Sequence, residues 1–424
     1  MIYDVVVVGV GLAGLTAGLR LAQGGRRVLL LAKGVGGTHL GSGTIDVLGY
    51  SPDRVDHPLA ALPDFLAAHP AHPYARAGLP ALRAAADWFL HTLAELGYPF
   101  AGSLNDNFLV PTAVGVAKPV ALLPISMAAG DLRTGGNIVI AGFSNLKDFY
   151  PALLADNLAR ATVAGTPAIA ARAVLLDTPG LMNEADLSPL DLARAFDRPD
   201  FRTALAADLR PRLQAGERVG FPAVIGLRAS VTAWQDLQDR LGAPVFEIPT
   251  LPPSIPGMRL YERLEGALRS AGARLQIGFP VTEAHLDDGR CTGLVTAGAS
   301  RTYTWRGARV VLATGGIASG GIRAESDGAV RESIFNLSLA GLPAPDAPRF
   351  LPGVFDPHPF NQVGLAVDDC LRPVDAEGRV TIANLHSAGA MLANAVPWQE
   401  KSGDGISLAT GYRVADILLE AKRA

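Results

Sequence analysis

Apolar positions come in short runs separated by glycine turns and amphipathic stretches, a pattern of alternating strands and helices. The first run, residues 5–8, stops in Gly9-Val10-Gly11-Leu12-Ala13-Gly14; a helical stretch follows over 15–22 and a second run at 28–31. This predicts a βαβ unit. Gly9 permits a tight turn, Gly11 lets the backbone approach a pyrophosphate, and Gly14 lets the helix press on the strand, leaving helix N-terminal amides facing phosphates. In that context the turn predicts a dinucleotide site rather than a coincidental glycine bend.

Residues 34–43 read as a glycine-rich loop and 52–80 as an irregular Pro/His/Ala region, while 82–96 has helical spacing closed by Gly97. A new alternation begins at 137. It comprises a strand at 138–140, a helix over 146–160, an apolar run at 169–176, helices over 188–213, a strand at 219–225, a helix at 231–241 and a strand at 245–248. Residues 111–255 therefore read as an inserted α/β cap domain. The flanking pieces, 1–110 and 256–424, form one Rossmann-like domain: an amphipathic helix at 258–271, a strand at 274–277, a meander over 279–305, and the buried run 310–312 ending in Ala313-Thr314-Gly315-Gly316. Residues 320–380 are a further contribution to the cap. A domain inserted between two halves of one sheet is typical of flavin oxidoreductases.

Length and charge narrow the class. A chain of 424 residues supports two or three domains, and a net charge of -3 gives no basic footprint for nucleic acid. Two cysteines, Cys291 and Cys370, neither ligate an iron-sulfur cluster alone nor suggest a disulfide framework, so a reducing, cytoplasmic setting is expected. The start lacks a signal-peptide n-region, and no apolar run approaches the roughly 20 residues that span a bilayer. Membrane association would be peripheral, through partners. No CxxC, HExxH, Walker lysine or GxSxG is present, so no metal site is expected.

Longer motifs are more specific. Ala71-His72-Pro73-Tyr74, the stretch 251–260 (LPPSIPGMRL), Ser319-Gly320-Gly321-Ile322, Gln362-Val363-Gly364-Leu365 and Leu371-Arg372-Pro373 together resemble the family of the anaerobic glycerol-3-phosphate dehydrogenase B subunit over nearly the whole chain. The resemblance implies a fold similar to fumarate reductase flavoproteins and FMN as cofactor. It also implies oxidation of sn-glycerol 3-phosphate to dihydroxyacetone phosphate, with electrons passed to quinone. The implied partners are a homologous flavoprotein, the A subunit, and a membrane-bound iron-sulfur protein, the C subunit, which would hold this chain on the inner face of the cell membrane.

The residues test the cofactor in part. Where a dinucleotide fold usually has an acidic residue for the adenosine ribose, this chain has Lys33. A cation cannot accept those bonds. Either the ribose is held otherwise, a phosphate lies near the ammonium, or no adenosine half is bound; FMN fits the last two, while the intact glycine turn keeps FAD as the alternative, and a basic residue there also suits NADP. A solvated loop lysine is the plain reading.

Expected cofactor contacts are Gly9, Gly11, Leu12, Ala13, Gly14, Lys33, Ser42, Gly43, Thr314, Gly315, Gly389, Gly403, Gly405, Ile406 and Ser407. The last four belong to a glycine turn feeding a helix, whose N-terminus can stabilise negative charge on a reduced flavin. Two departures from the family pattern stand out: Ala393-Asn394 replaces usual glycines, and Asp404 adds a carboxylate that would oppose that charge if ionised and close. Alcohol oxidation needs a base for the hydroxyl proton, for which His358 and His386 are candidates. Arg259, Arg331 and Arg372 match family arginines and are candidates for the substrate phosphate. Each of these five also has a bland reading as a packing or surface residue. Two other functions stay open: a flavin-binding electron-relay or structural component, and a flavin dehydrogenase for another substrate.

Overall fold

The computed structural model describes residues 2–161, 165–181, 186–298, 301–344 and 346–421. Strand Ile2–Val8 lies at the centre of a seven-stranded sheet. On one side it pairs in parallel with Val28–Ala32, which pairs in parallel with Arg274–Ile277. On the other it runs parallel to Thr302–Leu312, in register from Ile2 opposite Arg306 to Val8 opposite Leu312.

Strand Thr302–Leu312 is long enough for its outer edge to take two partners. Residues 302–305 pair antiparallel with Arg290–Ala297, which continues to Val281–Asp287, and residues 310–312 pair in parallel with Leu385–Ser387. The sequence reading separated the meander from the run at 310–312. The structure joins them because Gly307 does not break the strand; it fits closely against Val6, where a Cβ would stand 2.7 Å from the valine side chain.

A second, four-stranded sheet is wholly parallel, in the order Val245–Ile248, Arg218–Pro222, Gly136–Phe143, Ile169–Leu176. It has its own apolar core, including Phe143, Phe196, Phe221 and Phe246, apart from the core around Val7, Leu15, Leu30 and Val311. Helix Ile255–Ser270 connects the two, with Ile255 in the second core and Leu260, Leu264 and Leu268 in the first.

Two local expectations change. The region 52–80 is not irregular: it contains helices Pro58–Ala68 and Pro73–Ala77, each opening on a proline where a missing N–H costs nothing. The helix expected from 146 begins at Pro151 for the same reason. The last helix, Gly403–Glu420, packs on Leu12–Gln23, and Gly411 permits the contact: a Cβ there would stand 2.5 Å from the Ala13 carbonyl oxygen.

Candidate active site

Three parallel strands end side by side. Leu312 is paired with Val8 and with Ser387, and the chain leaves each strand in a turn held to its neighbour: Ala313 N–H donates to Val8 O at 2.8 Å, and Ala388 N–H to Leu312 O at 3.0 Å. Ligands of open α/β sheets bind beyond such carboxyl ends. A cleft of about 250 Å³ lies there, walled by Gly11–Ala13, Gly37, Thr38, Gly43, Thr44, Leu260, Ala313, Gly315, Ser319, Ala388–Ala390, Pro397, Gly403, Asp404 and Ser407 among others.

The glycines divide into two kinds. Gly9 (φ +114°) and Gly14 make the turn possible without facing the cleft: a Cβ at Gly9 would stand 2.1 Å from Ala313 O, and one at Gly14 2.1 Å from Gly9 O. Gly11 faces open space, with no atom within 4 Å of where a Cβ would project. It precedes the 12-residue helix Leu12–Gln23, whose first N–H groups have no intrahelical acceptor. Thr38 also lines the cleft, and its Oγ1 is buried with no hydrogen-bond partner among the described residues. An open backbone approach, free helix amides and an orphan hydroxyl fit a phosphate-bearing planar group.

Of the expected cofactor residues, Gly11, Leu12, Ala13, Gly43, Gly315, Gly389, Gly403 and Ser407 line this cleft. Ile406 is buried, and Gly405 packs against Tyr74, where a Cβ would be 2.2 Å from the phenol oxygen. Thr314 lies behind the wall, its Oγ1 2.6 Å from where a Cβ on Gly321 would stand. Lys33 is exposed and outside the wall. Ser42 is also outside, with its hydroxyl 2.6 Å from Thr44 Oγ1 and 3.2 Å from Lys118 Nζ. Leu260, Ser319 and Pro397 line the cleft although the sequence singled out none of them for the cofactor. Only the tight fit of Ser319 beneath Gly315 (φ +75°) explains one of them, and that relation appears only in three dimensions.

The expected catalytic and phosphate residues do not assemble. Arg259 is fully buried, its guanidinium forked onto Glu247 at 2.8 and 3.0 Å with Nε donating to Gly226 O. It holds helix Ile255–Ser270 to the second sheet. Arg331 is exposed on a short hairpin opposite Arg323. Arg372 pairs with Asp368 at 2.7 Å four residues back. His386 is 5% exposed and bonded through Nδ1 to Cys370 O at 2.9 Å; burial holds its pKa below the usual range, so it stays neutral. His358 accepts from Leu351 N–H at Nδ1 and lies 3.1 Å from Val354 O at Nε2, so both nitrogens serve its own loop. None of the five lines the cleft, and none of the cleft's lining residues comes from the four-stranded sheet.

Among the described residues, Asp404 is the one ionisable side chain in the wall. Beside it Asp46 accepts from Lys118 Nζ at 2.7 Å and from Thr44 Oγ1 at 3.1 Å, and Asp46 O accepts from Gly405 N–H at 2.8 Å. Burial first, then the neighbouring Asp46 charge, pushes the Asp404 carboxyl up to about 7, against the opposing pull of Lys118. The objection that Asp404 repels an anionic flavin is therefore softened: near neutrality it is partly protonated. Among the described residues no helix is long and apolar enough to cross a membrane.

The sequence has relatives of known family. Residues 4–406 match the family described as FAD binding domain. The chain is 36% identical to the probable anaerobic glycerol-3-phosphate dehydrogenase B subunit of Halobacterium salinarum, covering 99% of this chain and 98% of that protein. It is 32% identical to the anaerobic glycerol-3-phosphate dehydrogenase B subunit of Pectobacterium atrosepticum, covering 99% of both. Among solved structures, 3-ketosteroid delta1-dehydrogenase from Sterolibacterium denitrificans is similar at 14% identity and a TM-score of 0.45, over 99% of this chain and 100% of that one. The resemblance read from the motifs is thus borne out, and the chain is a flavin-dependent oxidoreductase that belongs, within the FAD-binding-domain family, to the family of the anaerobic glycerol-3-phosphate dehydrogenase B subunit.

Proposed function

We propose that this chain binds flavin for the oxidation of sn-glycerol 3-phosphate to dihydroxyacetone phosphate, in an assembly with a homologous flavoprotein (the A subunit) and a membrane iron-sulfur protein (the C subunit) that carries electrons to quinone. The observation that supports it most is the convergence of glycine turns and the Leu12–Gln23 helix N-terminus on one cleft, in a chain aligned end to end with relatives of that name. A bound flavin supplies the hydride-accepting chemistry that side chains lack. Gly11, Leu12 and Ala13 would hold its phosphate, while Gly43, Gly389, Gly403 and Ser407 would line its ring. The four-stranded sheet, in our reading, is the core of the inserted domain spanning 111–255.

The matched family favours FAD over the FMN expected from the resemblance. FMN keeps one supporting observation: the cleft wall includes none of residues 33–36, and Lys33 gives no acceptor for an adenosine ribose. Release of the cofactor and its mass decide between them. For the reaction, anaerobic addition of glycerol 3-phosphate to the assembled complex should bleach the flavin and glycerol should not.

One observation favours a second reading, in which this chain relays electrons and its flavoprotein partner dehydrogenates. Among the described residues lining the cleft there is no arginine, lysine or histidine to fix a phosphate. Under it, removing the flavoprotein partner abolishes bleaching by glycerol 3-phosphate although this chain keeps its flavin.

A further inference from the structure

Among the described residues the cleft wall holds one ionisable side chain, and behind it stand a carboxylate, an ammonium and two hydroxyls. Asp404 sits in the first turn of helix Gly403–Glu420 and lines the cleft. Its neighbour Asp46 accepts from Lys118 Nζ at one carboxylate oxygen and from Thr44 Oγ1 at the other, so Lys118 is paired with Asp46. Lys118 also reaches Ser42 Oγ at 3.2 Å and Thr44 Oγ1 at 3.4 Å, and those hydroxyls are 2.6 Å apart. Thr44 itself faces the cleft. A chain of exchangeable protons therefore runs from Lys118 through Ser42 and Thr44 to Asp46, beside the Asp404 carboxyl.

We propose that Asp404 is the proton-exchanging group of this cleft, with the Asp46–Lys118 pair behind it as positioning residues. The proposal rests on the alcohol-oxidation reading. The hydroxyl O–H bond breaks with its proton going to a carboxylate oxygen of Asp404, while the C–H electron pair and hydrogen leave as hydride to the oxidised flavin. The alcohol becomes a carbonyl and one proton stays on the protein. A carboxyl whose proton affinity lies near the working pH is matched to that task, and this one is lifted to about 7. Neither histidine expected from the sequence reaches the cleft, so the role falls to Asp404.

Other charged groups surround the site. Lys401, its proton affinity lowered by burial and by Lys118, and Glu400, paired with buried His72 at 3.2 Å, precede the helix. Tyr74, whose hydroxyl donates to Val47 O at 2.7 Å, is held protonated by burial and by Glu400, Asp404 and Asp46. Of these, Asp46 and Lys118 act directly on Asp404, in opposite senses.

The test is an infrared difference titration of the carboxyl region on the flavin-loaded protein, which needs no turnover. One protonated-carboxyl band should titrate near neutrality and vanish in Asp404→Asn. Its midpoint should fall in Asp46→Asn and rise in Lys118→Met. A band that persists in Asp404→Asn, or midpoints that ignore both neighbours, overturns the proposal. If Asp404→Asn does not fold, Asp404→Glu serves instead: its midpoint must differ from the wild type's, and an unchanged one overturns the assignment.

In the assembled enzyme, Asp404→Asn should slow bleaching by glycerol 3-phosphate about 10²- to 10⁴-fold with flavin still bound; an unchanged rate and pH profile also overturn it. Failure of the wild type to respond to glycerol 3-phosphate sinks the functional reading instead, and the titration still decides on Asp404.

Discussion

Arg259 and Glu247 form a fully buried, bidentate ion pair between helix Ile255–Ser270 and the edge strand of the second sheet. Glu247 also accepts from Ser126 Oγ at 2.7 Å and Ile225 N–H at 2.8 Å, so every charge in this contact is satisfied. A buried pair of this kind adds little net stability over apolar residues of similar volume, yet removing one partner strands the other charge. Arg259→Met should therefore lose about 3–5 kcal/mol in denaturant unfolding. Arg259→Met combined with Glu247→Leu should recover part of that loss. An undiminished unfolding midpoint in the single variant would return Arg259 to the list of ligand-binding residues.

The two glycines at the first turn should separate folding from binding. Gly9→Ala forces a Cβ to within 2.1 Å of backbone at Ala313 in a left-handed conformation, so soluble protein should fall sharply. At Gly11 a Cβ meets only open space and the residue is an extended N-cap, so in Gly11→Val the flavin-free protein should lose about 1 kcal/mol. Its flavin content should nevertheless drop. Equal flavin content in Gly11→Val and wild type would place the phosphate elsewhere.

Asp404 has a raised proton affinity when folded, so its contribution to stability is complete below pH 3.8 and is lost as pH rises through about 7. Across that window the native state binds more protons than the unfolded state. Asp404→Asn should accordingly melt higher than wild type at pH 8, with the gap closing toward pH 4. Thermal scans at several pH values check this; a gap that widens on acidification contradicts it.

His386 behaves as a neutral core residue. His386→Gln should cost about 1 kcal/mol through its bond to Cys370 O. The pH profile of substrate-driven flavin reduction should keep its midpoint. A displaced midpoint would restore the histidine as the base.

The glycine turns were legible in the sequence because their spacing reports backbone conformation directly, as at Gly9 and Gly11. The alternation that builds the second sheet was legible for a similar reason: strand runs such as 138–140 are continuous and apolar. The arginines were not. A guanidinium reads identically in sequence whether it meets a ligand or a carboxylate twelve positions back, as Arg259 meets Glu247. Asp404 was visible as an oddity but not as an acid, because its proton affinity depends on Asp46 and Lys118, brought to it only by folding. Helices Pro58–Ala68 and Pro73–Ala77 were missed because proline signals both loops and helix starts.

Helix Gly403–Glu420 lies on helix Leu12–Gln23, where Arg20 grips Asp416 across 396 positions of chain. During synthesis the first βαβ turn leaves the ribosome well before helix Gly403–Glu420 and waits, one greasy flank bare, until that helix has followed. Assembly of the cleft is thus a late event, and a stalled or clipped nascent chain would present a sticky half-site to chaperones rather than a working one.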